Sequence, residues 1–119
     1  MNCMILDDDD LSRRILEEFI AKTDGLILKH SCSDPVQCIN ILKKDDSVDL
    51  IFLDIEMPEM TGMDFLDNLL QEPQVIIFSS KGKYAIDSYN YDVTDYLLKP
   101  VTYSRFLQAI EKVEKRSKT

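Results

Sequence analysis

Five short apolar runs, each handing over to a segment with helical spacing, constrain this chain more than any other feature. The clearest is "LIFLD" (50–54), where Leu50, Ile51, Phe52 and Leu53 are apolar without alternation. A strand of that kind leaves no face for water and belongs in a sheet covered on both sides. "NCMIL" (2–6), "LILKHS" (26–31), "QVIIFSS" (74–80) and "DYLL" (95–98) are the other runs. Between and after them, Leu11, Ile15, Leu16, Phe19 and Ile20 recur at helical intervals, as do Val36, Ile39 and Leu42. Phe65, Leu66, Leu69 and Leu70 mark a third helix, "KYAIDSYNY" (83–91) a weaker fourth, and Phe106, Leu107, Ile110 and Val113 the last. Asp9 or Asp10 can cap the first helix, and Asp34-Pro35 opens the second with a cap and a proline in the first turn. Five strands alternating with five helices predict a doubly wound, three-layer α/β domain with a parallel sheet. In such sheets ligands bind beyond the carboxyl ends of the strands.

A chain of 119 residues makes one domain with a core of its own. Its 22 acids against 14 Lys and Arg give a formal charge of -8, which phosphate backbones repel, so this segment is a poor direct ligand for nucleic acid. Cys3, Cys32 and Cys38 show no CxxC spacing and read as buried or incidental thiols. His30 is the one histidine, which removes His-rich metal sites and argues against a Ser-His-Asp triad. No run reaches the length of a membrane span, and the start lacks the form of a signal peptide. The expected location is the cytoplasm.

The residues that follow the strands carry the chemistry. The first run ends at Asp7 and Asp8, the third at Asp54, the fourth at Ser79 and Ser80, and the fifth at Lys99-Pro100. Taken singly each has a plain explanation: a helix cap, solvated charge, a loop. Taken together they set three acids, a hydroxyl and an ammonium on one rim. Three crowded carboxylates repel one another by several kcal/mol unless neutralised. A hard divalent cation with oxygen ligands relieves this, and Mg²⁺ (or Mn²⁺) fits best. With Lys99 as a mobile charge and Ser79 as a hydrogen-bond donor, the parts match phosphoryl transfer, with Asp54 on the central strand as nucleophile.

"ILDDDDLSR", "DLIFLDIEMPEMTGMDFL", "VIIFSS" and "DYLLKP" resemble the signature blocks of bacterial response-regulator receiver domains, over essentially the whole chain. The resemblance implies a flavodoxin-like sheet of order 2-1-3-4-5. It implies that Asp54 is the phospho-acceptor and itself a metal ligand, Asp8 a direct metal ligand, Asp7 a ligand through water and Glu56 a ligand through its backbone carbonyl. Ser79 takes the place of the switch hydroxyl, ahead of Ser80, Tyr96 that of the switch aromatic and Lys99 that of the conserved-type lysine, before a cis bond to Pro100. The implied donor is a sensor histidine kinase. The implied output is a switch of the face made by the helix at 83–91, the strand at 95–98 and the last helix, controlling a homodimer or an effector domain. On this reading 1–119 is a receiver, a non-enzymatic signalling domain, and any DNA-binding domain lies beyond 119. "YAIDSYNYDVTDYLLKP" is similar to receivers joined to LytTR-type (LytR/AlgR-like) output domains.

Two departures touch the tuning of phosphoryl lifetime, Glu56 two residues past the acceptor and Lys81 two past Ser79. Two rival functions remain. A haloacid-dehalogenase-like phosphatase also uses an Asp after a strand, but it needs a second Asp two residues on, where this chain has Glu56. A pseudo-receiver would have lost part of the set Asp7, Asp8, Asp54, Ser79 and Lys99, which is complete here.

Overall fold

The computed structural model describes residues 1–57, 60–69, 73–80 and 92–117. The apolar runs become β1 (Asn2–Leu6), β2 (Ile27–Cys32), β3 (Leu50–Asp54), β4 (Gln74–Ser79) and β5 (Asp95–Leu98). Every pairing is parallel, in the order β2-β1-β3-β4-β5. That is the flavodoxin-like order the resemblance implied. The described helices are α1 (Asp10–Ala21), α2 (Pro35–Lys44), α3 (Gly62–Asp67) and α4 (Tyr103–Ser117). The helix expected at 83–91 and Lys81 lie outside the described residues.

Alternate strand residues serve two separate cores, as the two-residue period requires. Cys3, Ile5, Leu50, Phe52, Ile76 and Phe78 pack with Leu16 and Ile20 of α1 and with Phe106, Ile110 and Val113 of α4. Met4, Leu6, Ile51, Leu53, Val75 and Ile77 pack with Cys38 and Leu42 of α2 and Phe65 of α3. All five residues of β3 are buried, whereas β2 alternates exposed and half-buried positions, as an edge strand does. Phe52 anchors the first core, its ring 5.5 Å from that of Phe106 and 5.8 Å from that of Phe78. Burying each such side chain contributes about 1.5–3 kcal/mol. The three cysteines are buried and unpaired.

Helix starts follow local chemistry. The Asp9 carboxylate accepts from the Ser12 amide at 3.2 Å, and that of Asp34 from the Val36 amide at 3.1 Å with Pro35 in the first turn. Thr61 and Asp64 cap α3 reciprocally: the Asp64 amide donates to Thr61 Oγ1 at 3.1 Å and the Thr61 amide to Asp64 Oδ2 at 3.4 Å.

Three residues expected on buried helical stripes are exposed: Leu11, Val36 and Leu107. Leu11 and Val36 stand in the first turns of their helices, and Leu11 borders an open cleft. On α4, Ala109 takes the position against the sheet, and Leu107 falls on the flank. Among the described residues no helix is long and apolar enough to cross a membrane.

Candidate functional site

Parallel register places the strand ends level with one another. Leu6 pairs with Leu53, so Asp7 and Asp54 leave neighbouring strands at the same height. Both are in phase with the strand residues that face α1 and α4. Lys99, one turn of the alternation beyond Leu97 of that same core, arrives from β5, and its amide donates to the Ser79 carbonyl at 2.8 Å. The Lys99-Pro100 bond is cis, as expected.

Among the described residues three polar or charged ones are buried: Asp7, Asp54 and Ser79, at 1%, 2% and 0% exposure. All three belong to the set read from the strand ends, so the chain spends its buried polarity at one place. Lys99 Nζ lies 3.0 Å from Asp7 Oδ2 and 3.8 Å from Asp54 Oδ2. The Asp9 amide donates to Asp7 Oδ1 at 2.9 Å and the Glu56 amide to Asp54 Oδ1 at 3.0 Å. Burial, helped by the adjacent Asp7 charge, pushes the Asp54 carboxyl up to about 7, against the pull of the Glu56 amide and Lys99.

Asp7, Asp8 and Asp54 each present a carboxylate oxygen, and these oxygens lie within 4.8 Å of one another. Oxygens around a Mg²⁺ ion sit about 2.1 Å from it, so the widest pair in one shell is roughly 4.2 Å apart. The three oxygens are close enough to be drawn onto one such ion. Asp8 is exposed, which leaves one side open to solvent. The donor set and its spacing fit a hard dication. An open cleft of about 350 Å³ beside the acids is lined by Leu11, Ile15, Pro100 and Val101, with Asp7 and Lys99 at its edge.

Ser79 and Tyr96 are out of phase with the acids and fall on the opposite side of the sheet, where Tyr96 packs half-buried on the second core. Ser79 Oγ donates to Glu56 Oε1 at 3.0 Å, and Ser80 Oγ to Glu56 Oε2 at 2.8 Å. The structure thus brings together Asp7, Asp8, Asp54 and Lys99, and sets Ser79 beside them through Glu56. Tyr96 stands apart on β5.

Two contributions went unread in the sequence. The Glu56 side chain, read only as tuning phosphoryl lifetime, binds the hydroxyls of Ser79 and Ser80. Arg13 of α1 donates from Nη1 to the Asp7 carbonyl at 2.7 Å and pairs with Asp10, steadying the loop from behind. The one available signal for Arg13 was its place one helical turn after the aspartate run.

Comparison with known proteins agrees with this fold. The family model described as response regulator receiver domain matches residues 3–111. An uncharacterised response regulatory protein of Vibrio parahaemolyticus is 31% identical over 97% of this chain and 48% of its own length. The transcriptional regulatory protein BtsR of Escherichia coli is 30% identical over 97% of this chain and 49% of its own. The chain thus spans about half the length of the curated relatives it matches. Among solved structures, the response regulatory domain of protein mrkE from Klebsiella pneumoniae superposes with a TM-score of 0.88 at 24% identity, covering 98% of this chain and 97% of that one. A receiver domain protein from Clostridium thermocellum does so at 0.84, also at 24% identity, covering 98% of this chain and 96% of that one. The match over most of its length shows that this chain belongs to the response regulator receiver domain family.

Proposed function

We propose that this domain is a phosphorylation switch in which Asp54 accepts a phosphoryl group from the phosphohistidine of a sensor kinase. The observation that carries the reading is a buried Asp54 carboxylate, with Asp7 and Asp8 close enough to share an ion and Lys99 Nζ 3.8 Å away. An Asp54 oxygen forms the new O–P bond as the donor's P–N bond breaks, and the donor ring, already protonated on its other nitrogen, takes the P–N electron pair and leaves as neutral imidazole. Asp7, Asp8, Asp54 and the Glu56 carbonyl would hold Mg²⁺ (or Mn²⁺), which supplies charge neutralisation for acids and phosphoryl oxygens. Lys99 turns from Asp7 to a phosphoryl oxygen, and the aspartyl phosphate gains about two negative charges. Ser79 moves to hydrogen-bond it, and Tyr96 rotates into the vacated space. The apolar cleft flanked by exposed Leu11 supports a protein donor rather than a small one.

The output follows from the same face. Leu98 of β5 and Leu107 of α4 are exposed apolar residues, which supports a homodimer through β5, α4 and the segment 83–91 that the sequence predicts as helical. Similarity to a transcriptional regulator twice this chain's length, with the wording of 84–100, supports a LytTR-type output domain beyond 119 through which DNA is contacted. The receiver itself, 1–119, acts in the cytoplasm as a signalling domain and not as a turnover enzyme. A phosphatase of the haloacid-dehalogenase kind is disfavoured because Glu56, in the acid/base position, has both carboxylate oxygens on serines. The test is labelling by acetyl phosphate. Stoichiometric, Mg²⁺-dependent labelling that Asp54→Asn abolishes is the expected result, whereas label elsewhere, or steady ester turnover, overturns the reading.

A further inference from the structure

We propose that the Glu56 carboxylate is a latch that holds the Ser79 hydroxyl in the resting arrangement until an anion built on Asp54 competes for it. The inference deepens the phospho-acceptor reading and rests on it. Both oxygens of Glu56 are engaged by consecutive residues at the exit of β4: Oε1 by Ser79 Oγ at 3.0 Å, Oε2 by Ser80 Oγ at 2.8 Å, with the Ser80 amide at 3.4 Å. The same residue is tied to the acceptor, since its amide donates to Asp54 Oδ1 at 3.0 Å. A continuous path therefore runs from the Asp54 carboxylate through Glu56 to Ser79, over the top of the sheet from one face to the other.

The chemistry makes this path bistable. A hydroxyl carries one proton, and a charged carboxylate is a strong acceptor for it. Ser79 is fully buried, so water offers no substitute partner while it changes sides. A phosphoryl group, with about two charges and three oxygens, outbids the carboxylate. Phosphorylation of Asp54 also takes up the carboxylate charge that the Glu56 amide bonds to, so both ends of the path loosen together. Glu56 acts through Ser79 and is a positioning residue.

A thermodynamic cycle with Mg²⁺ and beryllium fluoride, a phosphoryl mimic, tests this. Apparent affinity is measured by calorimetric titration for the wild type, Glu56→Ala, Ser79→Ala and the double variant. Glu56→Ala is expected to tighten binding about fivefold when Ser79 is present, the scale of one charge-assisted hydrogen bond. In the Ser79→Ala background the gain should shrink below about twofold. Equal tightening in both backgrounds would reflect removal of a negative charge alone and overturns the latch, as does no tightening in the wild-type background. Should Glu56→Ala not fold, Glu56→Gln, which keeps the chain length and weakens the acceptor, runs the same cycle with the same sign. A wild type that takes up no beryllium fluoride, or takes it up undiminished in Asp54→Asn, removes the acceptor reading and the latch with it. Uptake that depends on Asp54 but not on the Glu56–Ser79 coupling removes the latch alone.

Discussion

At Asp54, burial and the charge of Asp7 oppose ionisation, while Lys99 and the Glu56 amide favour it. The balance lies at about 7, above the ordinary 3.8. Between those values the native state binds more protons than the unfolded chain, so without a dication stability should fall as pH rises from about 4 to about 7. Asp54→Asn should flatten that slope and stabilise the metal-free domain by about 1 kcal/mol at pH 8, read from urea unfolding. A variant less stable than the wild type there would mean that Lys99 already compensates the carboxylate in full. Asp7, Asp54 and Lys99 were legible from the sequence because strand ends are legible and an acid there has no packing role. The serine partners of the Glu56 carboxylate and the part played by Arg13 were not, since both residues lie past the strands, where tertiary contact and not periodicity sets direction.

Secondary-structure elements were the most readable level wherever a cap or an unbroken apolar run fixed them. Asp34 with Pro35 announced α2, and Asp34→Ala should lower stability by about 1 kcal/mol in denaturant unfolding. The stripes of the helices were less readable: Leu11, Val36 and Leu107 have the right spacing, but whether a strand lies beneath them is a property of the sheet. The join between β5 and α4 was not visible in advance. Asp95 takes a two-pronged bond from Arg105, with both nitrogens at 2.9 Å, and an ion pair from Lys112 at 3.2 Å. Burial pushes this carboxyl up, yet Arg105, the Tyr96 amide and Lys112 together bring it below its ordinary 3.8. Its stabilising effect is present above 3.8 and is lost as pH falls through the lowered value. Asp95→Asn should therefore be less stable than the wild type at pH 7, and the two should converge in acid, as thermal melts across pH would show.

On the scale of the whole molecule, composition and alternation gave the class of fold, while the order of the strands came with the family resemblance. Several apolar runs of similar length can exchange places in a parallel sheet without violating any local pattern. If the acid rim holds Mg²⁺ only when folded, ten times its dissociation constant of free ion should raise stability by about 1.4 kcal/mol, and an Asp8→Ala variant should lose most of that gain. The rise is measurable as a shift of the urea midpoint with and without chelator. The alternation of the strands has a last consequence. Asp54 and Ser79 belong to opposite sides of a partition one backbone thick, and they meet only where it ends. A charge placed on one side can be announced on the other by a side chain stepping across the lip, with every strand left where it is.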